Sequence, residues 1–380
     1  MITRRNLNTE YFHLRYNLFR LDEVTLEQIR EMADRGDMEA QYGIGRYLYV
    51  VRPEENSADL AYEYLQKAHA QGQADAAAAL AIIYEEGNCT EVDAGKCARL
   101  WDESLGGGSI YGVIAFAHSL IYGTFMIRKD LDKALEIINT AIKEAALQDE
   151  TLGYFHYLRA MAKEEKLGRE SSADDYRRAI ELGCVCAWRG YADALYVDNE
   201  GEIKNEDGYL QILMDGVTAG DCDSMTMYNY LMSLREEDKN GENHIEAYKD
   251  AFRLGSNVAA FLIAETYRNG WNGIGESTKD AWKWYVKGAE RNQVDCLEAM
   301  HDMCYITHDI DLPIEKVDII ALLGARMGSQ KLLRAAVAAY SEGRLTQYAA
   351  EMEQFHIPTF DGDEAEEEFP DDDGRFDAYV

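Results

Sequence analysis

The segment AAFLIAETYRNG at 259–270, followed by DAWKWYVKGAERN at 280–292, decides the fold of this chain. In the first part, small and apolar residues recur at the i, i+3, i+4, i+7 spacing of one helix face: Ala260, Ile263, Ala264 and Tyr267. The second part carries a similar face: Ala281, Trp284, Tyr285, Gly288 and Ala289. A glycine-rich stretch at 270–275 separates the two parts. The segment therefore predicts two antiparallel helices that pack closely against each other.

A glycine that follows a helical segment recurs about every 36 residues: Gly36, Gly72, Gly108, Gly183, Gly220, Gly255 and Gly328. The interval between Gly108 and Gly183 has room for two units, and Asn292 stands where another glycine is due. A period of this length is typical of stacked helix pairs, each too small to bury its own apolar face. We therefore expect one elongated solenoid, and only four prolines are present to interrupt its helices.

Similar sequence patterns recur in other units, as in ALAIIYEEG at 79–87, FAHSLIYG at 116–123 and AAVAAYSEG at 335–343. The pairing of Leu-Ala-x-x-Tyr-x-x-Gly with a downstream Lys-Ala-x-x-Trp or Asp-Ala-x-x-Trp block resembles the Sel1-like repeat, a relative of the tetratricopeptide repeat. The resemblance extends from Asp22 to Gly343. It implies an all-α, right-handed superhelical solenoid of about nine antiparallel helix pairs, whose first helices line a concave face. It also implies an adaptor role in protein complexes and no catalysis.

The chain divides into an N-terminal segment at 1–21, a repeat solenoid at 22–353 and an acidic tail at 354–380. The tail is expected to be disordered because it is densely charged and lacks a periodic apolar stripe. No stretch has the apolar run of an export signal or the roughly 18–20 apolar residues of a membrane span. We therefore expect a cytoplasmic protein. Its seven scattered cysteines fit reduced, buried thiols.

The formal net charge of −32 disfavours direct binding to nucleic acid or to anionic membranes. It favours a protein or peptide partner with a basic surface. Ten acidic residues and one arginine lie between Asp361 and Val380 alone. Phe369, Phe376 and Tyr379 are apolar positions among these acids, so the tail is either a solubilising segment or a docking segment for a basic surface.

The groove positions of a tetratricopeptide-like unit lie nine, six and two residues before, and one residue after, the position that Tyr267 occupies. This register predicts a partner-binding set rich in tyrosine and arginine, the residue types enriched at binding hot spots. Asp295 would occupy the first such position of repeat eight. The other predicted residues are Tyr42, Arg46, Tyr49, Tyr111, His118, Arg189, Asp193, Tyr196, Tyr230, Phe261, Glu265, Arg268, Glu298, Asp302 and Tyr305.

Signals for chemistry are weak in this sequence. His301, Cys304 and His308 have a spacing that could hold zinc. The repeat register instead places the first two in the core between repeats and His308 beyond the end of its helix. GGGS at 106–109 and GWNGIG at 270–275 lack the preceding strand and following lysine of a phosphate-binding loop. We therefore expect no catalytic residues, no cofactor and no metal.

Two functions of different classes remain open at this point. The first is a non-enzymatic adaptor that binds a protein or peptide in its concave groove. The second is a cytoplasmic immunity or inhibitor protein that neutralises a basic toxin, such as a nuclease. The acidity of the chain fits both hypotheses.

Overall fold

The computed structural model describes residues 23–352, except 54–55, 88–89, 91, 125–126, 145–146, 148, 199 and 236–240. The segment at 1–21 and the acidic tail at 354–380 therefore lie outside the described residues. The described chain is helical, and one isolated antiparallel bridge joins Val197 to Ile203. No helix within the described ranges is long and apolar enough to cross a membrane.

Eighteen α-helices of nine or more residues follow one another along the described chain. They are α1 Glu23–Asp34, α2 Met38–Val51, α3 Ser57–Ala70, α4 Ala74–Glu86, α5 Ala94–Gly106, α6 Ile110–Tyr122, α7 Leu131–Glu144, α8 Asp149–Leu167, α9 Ala173–Glu181, α10 Trp188–Tyr196, α11 Glu206–Ala219, α12 Cys222–Ser233, α13 Gly241–Arg253, α14 Val258–Asn269, α15 Thr278–Ala289, α16 Val294–Tyr305, α17 Ile314–Arg326 and α18 Gln330–Ser341.

These helices form a solenoid of helix pairs. Helix α1 covers the N-terminal end, and eight complete pairs follow from α2–α3 to α16–α17, each packed against the next. The short connections make neighbouring helices antiparallel. The ninth unit consists of α18 and two short helical segments, Thr346–Tyr348 and Ala349–Met352. The prediction of about nine stacked pairs is thus confirmed, including the two units between Gly108 and Gly183.

The periodic glycines end the second helix of each unit in a left-handed conformation. At Gly72 φ is 89°, and the amide of Gln73 donates to the carbonyl of Ala68 over 3.2 Å, the long hydrogen bond of a Schellman motif. The Gln73 side chain then accepts from the amide of Asp75 over 3.0 Å and caps α4. The seven periodic glycines and Asn292 all have positive φ, from 63° at Asn292 to 115° at Gly255. At these eight positions, one helix ends and the next repeat begins after two to six residues.

Small residues let successive repeats pack closely. A Cβ atom added at Gly288 on α15 would lie 2.3 Å from the Sγ of Cys296 on α16, so only glycine fits there without rearrangement. The buried apolar residues fall into six clusters that follow one another along the chain, as expected for a structure in which each repeat contacts mainly its neighbours. The six cysteines in the described ranges are buried and not in disulfides, as predicted.

The conformational requirement at the repeat boundary can be tested at Gly72. No atom lies within 4 Å of a Cβ added there, but φ is 89°, so Gly72→Ala isolates the backbone strain. We expect a loss of about 1 kcal/mol in the free energy of unfolding, measured by urea denaturation. Gly106→Ala is the matched control: it is equally uncrowded but lies in the last turn of α5, where alanine should be neutral or slightly stabilising. Equal destabilisation by both changes would contradict the strain argument.

Candidate partner-binding face

The first helices of the pairs form a continuous layer. Apart from a contact between α4 and α17, contacts between non-consecutive α-helices are made by first helices of successive repeats, as between α2 and α4, α4 and α6, and α12 and α14. In a curved stack, the helices on the inside of the curve approach one another most closely, so this layer lies on the concave side. We call the groove-facing side of α2, α4, α6, α8, α10, α12, α14, α16 and α18 the inner face.

In repeats one to three the predicted groove residues are buried. Tyr42 is 1%, Tyr111 3%, and Arg46 and Tyr49 each 6% exposed. The rings of Tyr42 and Tyr111 lie 6.2 Å apart, and the guanidinium of Arg46 lies 4.4 Å from the centre of the Tyr111 ring. The expectation that these four side chains face an open groove is wrong, because neighbouring helices approach closely enough to cover them. His118 on α6 is exposed and contacts Tyr122.

Partly buried carboxyl groups accompany these residues. Ser109 donates a hydrogen bond to Asp75, and Tyr49 donates one to Glu86. Burial raises the pKa of Asp75, although Ser109 and the charge of Arg46 act in the opposite direction. Burial also raises the pKa of Glu86, opposed by Tyr49, Arg52, Asn292 and Arg46. Arg46 thus compensates two partly buried acids, which is a structural role.

In the middle of the solenoid the predicted residues bind one another. Arg189 and Asp193 on α10 form an ion pair with an Nε–Oδ2 distance of 3.0 Å. The hydroxyl of Tyr209 on α11 donates to Asp193 Oδ1 over 2.6 Å. Tyr196 and Tyr230 are partly buried among apolar side chains of the same region. The hydrogen bond from Tyr209 to Asp193 therefore joins α11 to α10.

The predicted residues of repeats seven and eight are more exposed to solvent than Tyr42, Arg46, Tyr49 and Tyr111. Phe261, Glu265 and Arg268 on α14 are partly exposed, and Glu265 accepts a hydrogen bond from Tyr285. On α16, one side carries three carboxylates and an aromatic ring at i, i+3, i+7 and i+10: Asp295, Glu298, Asp302 and Tyr305. Of these, Tyr305 is 56% exposed.

The carboxylates of α16 differ in their surroundings. Burial raises the pKa of Asp295, and the charge of Glu298 adds to this effect. Burial acts in the same direction at Asp302, but the nearby His301 and the hydrogen bond from Lys331 outweigh it, and the pKa of Asp302 is lowered. Lys331 on α18 lies 2.7 Å from Asp302. The acids are therefore only partly compensated by the chain itself.

Sequence reasoning missed several polar residues of the inner face. Asp75 and Glu85 occupy the first and last groove positions of repeat two, and Lys331 occupies the first of repeat nine. The same register rule would have found all three, had it been applied to these repeats. An ion cluster in repeat four carries no such sequence signal: Asp175 accepts hydrogen bonds from His156, Arg159 and Lys163.

The possible zinc ligands are not brought together. His301 and Cys304 are each 8% exposed, as predicted for residues between repeats, and His308 is exposed beyond the end of α16. Within the described ranges, only Asp221, Cys222 and Asp223 place three potential ligand atoms within 4.8 Å of one another. Asp221 caps α12 by accepting from the amide of Ser224 over 3.1 Å, which accounts for its position.

Replacing Arg46 should test its structural role. Arg46→Met keeps the volume but removes the charge beside two partly buried acids, so we expect a loss of about 2 kcal/mol in unfolding free energy at pH 7. Burial raises the folded-state pKa of Asp75 and Glu86, so the folded chain takes up protons at a higher pH than the unfolded chain. The deficit should therefore shrink between pH 7 and pH 5 in urea titrations. A deficit that is independent of pH would contradict this assignment.

The comparisons with known proteins find similarity to solved structures only. No protein-family model matches the sequence, and no curated protein matches it significantly. The structure is similar to a Sel1 repeat protein from Oxalobacter formigenes, with 17% identity, a TM-score of 0.38, and coverage of 83% of this chain and 89% of the other. It is also similar to a protective antigen of uropathogenic Escherichia coli with an SLR fold, with 15% identity, a TM-score of 0.39, and coverage of 94% and 80%.

The fold itself rests on the helix pairs of this chain and on their left-handed boundaries. In its fold, the chain is an all-α solenoid of stacked helix pairs.

Proposed function

We propose that this chain is a non-enzymatic scaffold whose inner face binds a protein or peptide with a basic surface at repeats seven and eight. The observation that carries this proposal is the row of carboxylates on α16, Asp295, Glu298 and Asp302, beside Glu265 on α14. Four acids here face two nearby cations, Arg268 and Lys331. The local charge is therefore negative, and a basic partner would complement it.

The raised pKa of Asp295 supports the same site. Burial and the charge of Glu298 disfavour its ionised form. A lysine or arginine from a partner would compensate both effects and lower the pKa of Asp295. Part of the binding energy would then come from a carboxylate that the unbound chain leaves poorly compensated, and affinity should rise with pH as Asp295 ionises.

Two aromatic side chains give the site an apolar component. Tyr305 lies at the end of the carboxylate row on α16, and Phe261 is partly exposed on α14, with its ring 6.0 Å from that of Tyr285. Aromatic rings provide large contact area at a small cost in conformational entropy. The site therefore suits a segment that carries both basic and apolar residues.

An inhibitor of a basic toxin would use the same acidic surface. The two roles differ in partner range, because an immunity protein binds one toxin tightly whereas a scaffold binds several clients. Affinity capture from native cells, followed by a salt titration of each recovered protein, distinguishes a single basic toxin domain from several unrelated clients.

The site can be tested with a defined basic probe. We expect the triple variant Asp295→Asn, Glu298→Gln, Asp302→Asn to bind an (Arg-Ala)6 peptide about tenfold more weakly at ~0.1 M salt, measured by fluorescence anisotropy. The loss should diminish at higher salt, since the contribution removed is electrostatic.

The control must remove the same charge elsewhere. Asp174, Asp215 and Glu246 are exposed on the second helices α9, α11 and α13. Neutralising these three residues lowers the net charge equally but leaves the inner face intact, so affinity should change by less than about twofold. Equal weakening by the two triple variants would show that the peptide responds to net charge alone and would reject the site.

A further inference from the structure

Repeats two and eight contact each other although they are far apart in sequence. Arg326 at the end of α17 donates from Nη1 to the carbonyls of Glu86 and Gly87, at 3.4 and 3.3 Å. Helix α17 also packs against α4. Glu86 is the last residue of α4 and Arg326 the last residue of α17, and they are 240 positions apart in the sequence. The solenoid therefore returns to its own beginning after one turn.

The position of Arg326 is electrostatically favourable. The last carbonyls of α4 have no partners within that helix and carry the negative end of its dipole. The Arg326 guanidinium donates hydrogen bonds at this end of α4, and its positive charge interacts favourably with the negative end of the helix dipole. The fit is close, since a Cβ added at Gly87 would lie 2.9 Å from Arg326 Nη1. Glycine at this position thus serves both the left-handed end of α4, with φ 64°, and the approach of Arg326.

Asn292 contributes a second contact with repeat two. We call the contacts of Arg326 and Asn292 with the end of α4 the junction. Asn292 adopts φ 63°, the left-handed conformation that glycine has at the other boundaries. Unlike glycine, it has a side-chain amide close enough to the Glu86 carboxylate to oppose the rise in its pKa. Asparagine tolerates this conformation better than most residues. Asn292 is therefore a boundary residue that departs from the glycine spacing and has a side chain beside repeat two.

The junction is polar, unlike the interfaces between consecutive repeats. The apolar cluster of repeats one to three extends from Ile29 to Ile127, and that of repeats seven to nine from Phe261 to Met352. No described cluster contains residues of both. Consecutive repeats share buried apolar side chains, whereas the junction rests on hydrogen bonds and charge. Polar contacts of this kind contribute little net stability, so the junction can open while every repeat stays folded.

We infer that Arg326 and Asn292 form a reversible latch that closes the solenoid, and that the chain exchanges between a closed and an open form. Opening changes the curvature of the solenoid and hence the width of the inner face. If the inner face binds a basic partner as proposed above, the partner would favour whichever form fits it and would shift this equilibrium. The latch itself does not depend on that proposal.

The test is made on the full chain without a partner. Arg326→Glu places a negative charge against the carbonyls of α4 and should open the latch. We expect a larger radius of gyration in small-angle X-ray scattering and about fivefold faster amide hydrogen exchange near the end of α4 and in α17. Exchange in the other helices should be unchanged, because their apolar contacts are intact.

Two further variants keep the test decisive. Asn292→Gly removes the amide while suiting the left-handed backbone, so it should fold well and open the latch in the same direction. Arg177→Glu on α9 makes the same charge change at an exposed site paired only with Asp174 within its own helix, and should behave as wild type. Wild-type scattering and exchange in both Arg326→Glu and Asn292→Gly would overturn the latch. Because no peptide is present, this result is independent of the proposed binding site.

Discussion

The left-handed residue that ends each second helix is the constraint on which the structure depends. At the described boundaries it stops one repeat and starts the next after two to six residues, so successive pairs are held at contact distance. A single helix pair has too little apolar surface to fold alone. The short, fixed boundary makes each pair the cover of the one before it, and the repeated boundary produces the solenoid.

Close stacking also determines what the inner face presents. Where small residues bring first helices together, as in repeats one to three, tyrosine and arginine side chains become part of the core, and Arg46 is needed to compensate Asp75 and Glu86. Towards the C-terminal end the row on α16 retains exposed area. This exposed area is the reason for placing the proposed binding site in repeats seven and eight.

The repeat architecture was predictable because its signals are local. Helical periodicity and glycine spacing act within about 40 residues, and the register derived from them placed His301 and Cys304 in the core. The groove assignment needed more than register. Whether Tyr42 or Tyr305 is covered depends on how closely the next helix approaches, and that distance is set by side chains of another repeat. The rule treated all repeats as equivalent, so it could not separate the buried positions from the exposed ones.

The sequence by itself determined the helix pairs, their boundaries, their number and the strong negative charge, since each follows from composition or from short-range spacing. Only the tertiary structure decided that the chain closes on itself and why Asn292 interrupts the glycine pattern. The contact between Arg326 and the end of α4 arises from the summed curvature of all intervening repeats. Small angles at each boundary add up along the stack, and no local pattern in the sequence records their sum.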